Sequence, residues 1–227
     1  MQEFNIPSPQ NQPKIWTIIW VFLVYMGLSL IFQVFSILWD ALAGNDFLSM
    51  SVSWHSELLG LAAMLLTLII AKFQNIQFFK WTKISWKGFV FAAVVMGIAI
   101  ALSSLIDYLG QSYTSYTTTQ NEMLLDDVYK NASWLLSFLS IVIIAPFVEE
   151  IIFRGFLMQQ LFRNRLWLGW IVSSLLFCAA HVPTDWVSFL LYLIPGIALG
   201  GILYKTKRLE LTIFAHFLNN FIAFIWP

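Results

Sequence analysis

Glu149-Glu150-Ile151-Ile152-Phe153-Arg154 places two carboxylates and a guanidinium inside a long hydrophobic run. An ionisable side chain at membrane depth costs about 2.5–3.5 kcal/mol on insertion scales, so it usually faces a partner or a cavity. Two further polar clusters lie in later hydrophobic runs: Phe177-Cys178-Ala179-Ala180-His181 and His216-Phe217-Leu218-Asn219-Asn220. Carboxylates, imidazoles and an amide together match the chemistry of water activation. The three clusters therefore predict a hydrolytic site within a bilayer.

The composition supports a membrane location. Of the 227 residues, 59% are apolar and 11% are charged, whereas a soluble globular chain has about 25% charged residues. Trp and Tyr, which gather at membrane–water interfaces, number 11 and 7. The formal net charge of zero gives no electrostatic basis for binding nucleic acid. The partners expected are membrane lipid and a peptide or protein substrate.

The hydropathy pattern predicts an all-α, polytopic membrane protein with about seven transmembrane helices in a conical or bundle-like core around an intramembrane site. A tail, residues 1–14, precedes three helices and their loops in residues 15–132, and residues 133–226 form a catalytic four-helix core within one domain. Residues 39–55 are expected at the interface, residues 74–87 as a basic aromatic belt, and residues 111–132 as the longest polar loop. The predicted spans are 15–38, 56–73, 88–109, 133–162, 166–182, 187–204 and 209–226.

The basic residues orient the chain. With a cytoplasmic N-terminus and seven alternating spans, only Lys130 of the 12 basic residues falls outside, as the positive-inside rule requires. The C-terminus then lies outside. The expected location is the bacterial cell membrane.

In the first cluster, adjacent Glu149 and Glu150 point about 100° apart on a helix. Arg154 follows Glu150 by four residues and can pair with it, which leaves Glu149 as the freer carboxylate and the candidate general base. Pro146, just upstream, should loosen the helix and free backbone carbonyls near the site. The alternative is a juxtamembrane charge cluster without a catalytic role.

His181 is predicted to reach the height of Glu149. The polar break at Asn164 marks the turn between the fourth and fifth spans, 15 residues after Glu149 and 17 before His181. In an antiparallel hairpin the two residues lie within about 3 Å of the same height, at 1.5 Å rise per residue. An imidazole and a carboxylate at one level can activate water. The alternative is an interfacial histidine at a helix end, because Pro183 follows two residues later.

His216 and Asn220 are four residues apart, on one face of the last span. Together they could donate hydrogen bonds to the oxyanion formed when a peptide carbonyl is attacked. The alternative is a set of hydrogen bonds between helices, a common use of His and Asn in membranes.

Zinc is the alternative to a metal-free site. Glu149, His181 and His216 would supply three ligands and leave a fourth position for water. However, no H-E-x-x-H motif occurs, and the three residues lie on three different spans. The metal-free mechanism is favoured, and no cofactor is assigned.

The order E-E-x-x-x-R, F-x-x-x-H and H-x-x-x-N, each on its own hydrophobic span, resembles the CAAX protease and bacteriocin-processing (Abi) family of intramembrane proteases, which includes the type II CAAX prenyl endopeptidases. The resemblance covers about residues 133–226. It implies that Glu149 is catalytic, that His181 helps it to activate water, and that His216 and Asn220 stabilise the oxyanion. Glu150 and Arg154 are implied to support them. Bacterial members are associated with peptide processing and bacteriocin self-immunity.

The function predicted is therefore an intramembrane endopeptidase that cleaves a membrane-associated peptide or protein. The alternatives are a non-catalytic immunity factor that binds a bacteriocin-like peptide and a small transporter. Binding alone would not need all four candidate residues intact, and a transporter would more often show internal repeats.

Cysteine-accessibility labelling in intact cells tests the orientation. Residues introduced near Ser85 and Thr206 are expected to react from inside, and those near Ser115 and Asp185 from outside, because successive loops alternate sides. Labelling of the Thr206 and Ser115 positions from the same side would contradict the seven-span arrangement.

Overall fold

The computed structural model describes residues 13–42, 53–80 and 82–226. Within these ranges every regular element is a helix. The eight helices are α1 (Ile15–Leu42), α2 (Trp54–Phe73), α3 (Trp86–Tyr113), α4 (Gln120–Tyr129), α5 (Trp134–Leu161), α6 (Leu166–Ala180), α7 (Trp186–Thr206) and α8 (Leu209–Ile225).

Seven of these helices are apolar. By length and composition α2, α3, α5 and α7 can each cross a membrane, while Ile15–Ile31 of α1, α6 and α8 form shorter apolar helices. Many large apolar side chains on them face outward, as the surroundings of a lipid-embedded protein require. The protein is thus an all-α polytopic membrane protein, as predicted. The shortest apolar helix, α6, has 15 residues and rises about 22 Å, which is less than the hydrocarbon thickness.

The prediction that residues 111–132 form a polar loop is wrong for Gln120–Tyr129, which form helix α4. The Thr119 hydroxyl accepts the Glu122 backbone N–H at 3.1 Å, and the Glu122 carboxylate accepts the Thr119 N–H at 3.2 Å. This reciprocal pair is a capping box, which satisfies the free N–H groups that begin a helix. The T-x-x-E spacing of this box is present in the sequence at Thr119 and Glu122. Residues 1–12 of the predicted tail, and most of the predicted interfacial segment 39–55, lie outside the described ranges.

Contacts divide the described chain into two compact units. One contains residues 78–124 and 141–226. Its core joins apolar residues of α3 to apolar residues of three later helices: Ala92, Met96, Ala99, Phe177, Leu199, Ile202, Leu211 and Ala215. The other unit contains, of the described residues, 13–42, 53–77 and 125–140, and in it α1 packs against α2. The proposed division at residue 132 stays a prediction.

Helix α5 is not a regular α-helix. It is π-helical over Leu139–Ile144, α-helical over Ala145–Glu150 and π-helical again over Ile151–Leu161. The π form is rare, and where it occurs it is frequently at a functional site. Glu149 and Glu150 end the short α-helical turn between the two π-helical stretches. Their height and facing therefore cannot be read from α-helical geometry alone.

Candidate active site

The predicted pairing of Glu150 with Arg154 is confirmed. An Arg154 terminal nitrogen lies 2.9 Å from Glu150 Oε1, and neither side chain is exposed at all. The other terminal nitrogen donates to the backbone carbonyl of Gly196 at 2.9 Å. The guanidinium also lies 4.6 Å from the centre of the Phe177 ring, within the range of a cation–π contact. The arginine thus ties α5 to α6 and α7.

Gly196 makes this connection sterically feasible. A Cβ at this position would lie 3.2 Å from the backbone oxygen of Ser174 and 3.3 Å from the Phe177 ring. Absence of the side chain lets α7 approach α6 closely, a common role of small residues in membrane interfaces. The Ser174 hydroxyl lies within hydrogen-bond distance of two carbonyls, that of Trp170 at 2.8 Å and that of Gly196 at 3.0 Å. The Gly196 carbonyl is therefore surrounded by polar groups from α5 and α6.

His216 lies between the two glutamates. Its Nδ1 is 2.9 Å from Glu150 Oε1, and its Nε2 is 3.8 Å from Glu149 Oε2. The first distance is a hydrogen bond and the second is too long for one. Because an ionised carboxylate only accepts, the hydrogen bond places a proton on Nδ1. Nε2 is left directed toward Glu149.

Glu149 has the free carboxylate that the sequence predicts. Its side chain is 27% exposed, whereas that of Glu150 is fully buried. Glu149 Oε2 itself is buried and has no hydrogen-bond partner. A buried acceptor without a partner is costly, and in a native site it calls for an explanation such as a bound water or a catalytic role. Glu150 Oε2 is also buried without a hydrogen-bond partner, so what distinguishes the two carboxylates is that only the Glu149 side chain is partly exposed.

Asn220 lies one turn after His216 and contacts the backbone of α5. Its side-chain nitrogen donates to the Ile141 carbonyl at 2.9 Å. In a π-helix the carbonyl of residue i accepts the N–H of residue i+5, so the Ile141 carbonyl would accept from residue 146. Residue 146 is a proline and has no N–H to donate. The expected loosening of the helix at Pro146 is thus seen, and the amide of Asn220 occupies a carbonyl that the helix leaves available. The Asn220 nitrogen keeps a second hydrogen for another acceptor.

His181 ends α6 and is held by other contacts. Its Nδ1 lies 2.8 Å from the Phe177 carbonyl, which fixes the proton on that nitrogen because a carbonyl only accepts. The imidazole stacks on Tyr192, with ring centres 4.4 Å apart, and packs against Phe177 at 4.6 Å. Within the described chain it forms no ion pair or hydrogen bond with Glu149; the imidazole that contacts Glu149 directly is that of His216. The height match assumed an α-helical rise along α5, whereas α5 is π-helical over Ile151–Leu161, and the alignment of His181 with Glu149 stays a prediction.

Three residues of this site carried no predicted role. The Phe177 ring contacts Arg154, His181 and His216, with ring centres 5.5 Å apart for the last pair. Tyr192 supports the His181 ring and its hydroxyl hydrogen-bonds the Thr119 hydroxyl at 2.6 Å. Gly196 supplies the carbonyl for Arg154. Phe177 begins the F-x-x-x-H motif and could have been found from it, whereas no sequence pattern singles out Tyr192 or Gly196.

The zinc alternative requires Glu149, His181 and His216 to be grouped as metal ligands. The described residues contain no group of three or more His, Cys, Asp and Glu side chains placed to hold a metal ion. Glu149, His181 and His216 therefore do not form a ready ligand set. Both imidazoles nevertheless have Nδ1 engaged by an oxygen acceptor, which orients each Nε2 for a proton or another ligand. Such orienting acceptors were not identifiable from the sequence.

Comparison with known proteins relates the helices around this site to a family. Residues 131–222 match the sequence model described as type II CAAX prenyl endopeptidase Rce1-like. The matched range contains all three polar clusters. The resemblance to the CAAX protease family, predicted from the order of the motifs, is confirmed for this part of the chain.

Three bacterial proteins are similar over a longer range. UPF0177 protein YvdC of Lactococcus lactis subsp. lactis (strain IL1403) is 28% identical over 145 residues, which are 63% of this chain and 55% of YvdC. UPF0177 protein YajF of the same strain is also 28% identical, over 62% of this chain and 70% of YajF. The protein named "Putative membrane peptidase YdiL" of Bacillus subtilis (strain 168) is 28% identical over 59% of this chain and 51% of YdiL. The chain thus spans about half the length of YvdC and YdiL. No solved structure matches it.

The buried ion pair is expected to be essential for folding. Arg154→Ala should lower the free energy of unfolding in detergent by about 3–5 kcal/mol, because it leaves the Glu150 charge buried without its guanidinium. The matched control is Lys130→Ala, which breaks the exposed Asp127–Lys130 pair and should cost less than about 1 kcal/mol. Equal, small losses in the two variants would contradict a structural role for Arg154.

Proposed function

We propose that the chain is an intramembrane endopeptidase that hydrolyses a peptide bond of a membrane-associated peptide or protein, with Glu149 as general base. The observation that carries this proposal is the buried Glu149 Oε2, which has no hydrogen-bond partner and lies 3.8 Å from His216 Nε2. A water oxygen about 2.8 Å from both atoms is compatible with that separation. The match of residues 131–222 to a peptidase family supports the same chemistry.

The proposed reaction begins when Glu149 takes a proton from this water. The resulting hydroxide attacks the carbonyl carbon of the peptide, and the carbonyl oxygen becomes an oxyanion. His181, whose ring is fixed by Phe177 and Tyr192, polarises the water through Nε2. When the C–N bond breaks, Glu149 returns its proton to the leaving nitrogen. Water has then been divided between the new carboxyl and amino groups.

His216 and Asn220 are proposed to hold the oxyanion. The hydrogen bond from His216 Nδ1 to Glu150 Oε1 fixes the ring, so that Nε2 is the atom of His216 proposed to face the oxyanion. Asn220 contributes the N–H that is left after it binds the Ile141 carbonyl. Glu150 and Arg154 act through His216 and through the packing of α5, so they are positioning residues. No metal is assigned to the site.

The setting proposed is a bacterial cell membrane, with the N-terminus cytoplasmic and the C-terminus outside. The distribution of basic residues supports this orientation. The proposed substrate is a membrane-associated peptide or protein, and a prenyl group on it is not expected in a bacterium. Peptide maturation and self-immunity against a bacteriocin are the roles that the motif resemblance suggests.

Glu149→Gln is expected to lower peptide cleavage by about 10²–10⁴-fold, because the amide keeps the shape of the side chain and cannot accept the proton. His181→Ala should cause a similar loss. The measurement is cleavage of a quenched fluorescent peptide library by protein purified in detergent. Asp126→Asn, which alters an exposed carboxylate, is the control and should cleave normally.

Expression, membrane insertion and unfolding temperature of the Glu149→Gln protein should match those of the wild type. Near-normal turnover in either site variant, with these properties unchanged, would remove the proposed water-activating pair.

The metal-free mechanism makes a separate prediction. Purified, active protein should keep its cleavage rate after exhaustive chelation, and elemental analysis should find no stoichiometric zinc, because Glu149 and His181 then activate water without a Lewis acid. Zinc at one atom per chain, with activity lost on chelation and restored by added metal, would instead establish the zinc alternative.

A further inference from the structure

The basic segment before α3, which carries Lys80 and Lys83, is held in place by side chains at the start of α8. The Lys80 backbone N–H donates to Glu210 Oε1 at 2.9 Å, and the Arg208 guanidinium lies 3.3 Å from the other Glu210 oxygen. Arg208 also donates to the hydroxyl and the carbonyl of Thr82, each at 2.7 Å. With only 8% of Arg208 exposed, the guanidinium is committed to this backbone. The segment is therefore fixed by a buried network that does not use the Lys83 side chain.

This network forms the wall of a cleft with two kinds of surface. Phe79 and Phe147 stack with ring centres 6.5 Å apart and planes within 10°, and they form its apolar part. Lys80 and Lys83 form its cationic part. The full lining is Phe79, Lys80, Thr82, Lys83, Ile84, Phe147, Arg208 and Glu210. A ligand that fits both surfaces must carry a negative group and an apolar portion.

The cleft has more positive than negative charge. Three of its lining residues are cationic and one, Glu210, is anionic; Glu210 already accepts the Lys80 backbone N–H and forms an ion pair with Arg208. Burial and the neighbouring Arg208 lower the pKa of Lys80, and burial and the Lys80 charge lower the pKa of Lys207. Burial is the larger cause in both cases, and the cationic neighbours add to it. An anion bound beside Lys80 and Lys83 would offset the excess of positive charge that lines the cleft.

We propose that this cleft binds the phosphate of an anionic phospholipid, with the phosphate between Lys80 and Lys83 and the acyl chains along Phe79 and Phe147. Basic pockets beside transmembrane helices on the cytoplasmic side are suited to such headgroups. The predicted orientation puts this segment on that side, and exposed Trp86 at the start of α3 is typical of the interfacial depth where phosphates lie. The stacked phenyl rings favour a lipid over an acidic soluble peptide. The proposal does not depend on the peptidase activity.

The test compares thermal unfolding of the full chain in nanodiscs of neutral phosphatidylcholine with discs that also contain phosphatidylglycerol. The anionic lipid should raise the unfolding temperature by roughly 5 °C at about 100 times its Kd, since a ligand that binds only the folded state stabilises it. The rise should shrink in high salt, which screens surface charge. Lys80→Gln with Lys83→Gln should lose most of the rise, whereas Lys87→Gln should retain it.

Lys87 is the matched control because it is an exposed lysine of the same basic region and does not line the cleft. The double substitution keeps the Lys80 backbone N–H that binds Glu210. If the double variant does not fold, single Lys83→Gln tests the proposal, and it should lose part of the rise in unfolding temperature. Equal unfolding temperatures in the two kinds of disc, or an undiminished rise in both Lys83→Gln and the double variant, would overturn the proposal. So would an equal rise on adding inorganic phosphate to neutral discs, or lysine-dependent binding of an acidic peptide in place of the lipid.

Discussion

The rest of the site depends on the two contacts that the buried Glu150 carboxylate makes, with Arg154 and with His216. One oxygen of this buried group lies 2.9 Å from both an Arg154 nitrogen and His216 Nδ1. A carboxylate with no exposure is tolerated within an apolar protein only because charged partners replace the water it has lost. Since Arg154 reaches α7 and His216 belongs to α8, the requirement to neutralise one charge brings three helices together. The stability of the site and its geometry therefore have the same origin.

This arrangement also explains why two adjacent glutamates differ in role. Consecutive residues on a helix face different directions, so one carboxylate can be buried among cations while its neighbour faces a space beside the histidine. Glu150 pairs with Arg154 and His216 through Oε1, whereas Glu149 is 27% exposed and lies 3.8 Å from His216 Nε2. A general base must be held in place and yet remain available for a proton. Placing a structural carboxylate next to the proposed base in sequence meets both conditions.

Much of this was predictable from the sequence, because ionisable residues in apolar runs have few ways to be satisfied. The seven apolar helices, the Glu150–Arg154 pair and the free Glu149 all follow from hydropathy and from the spacing of four residues along a helix. The T-x-x-E spacing of the α4 capping box is present in the sequence, where it lies within the segment predicted as a polar loop. What could not be predicted depends on departures from α-helical geometry. The π-helical stretches of α5 are not encoded by a local motif, so the positions of side chains along α5 do not follow from an α-helical rise.

Pro146 connects these departures to the chemistry. A proline inside a membrane helix leaves a carbonyl without its usual donor, and in a bilayer that carbonyl needs another partner. Here the partner of the Ile141 carbonyl is Asn220, one turn beyond His216 on α8. The same defect that makes α5 irregular therefore fixes α8 against it, beside the two glutamates. Glu150 holds the imidazole of His216 and Ile141 holds the amide of Asn220, so both members of the H-x-x-x-N motif are positioned by α5. The irregular helix is thus a condition for the alignment of the proposed catalytic groups, since a continuous α-helix would satisfy its own carbonyls and leave Asn220 without this contact.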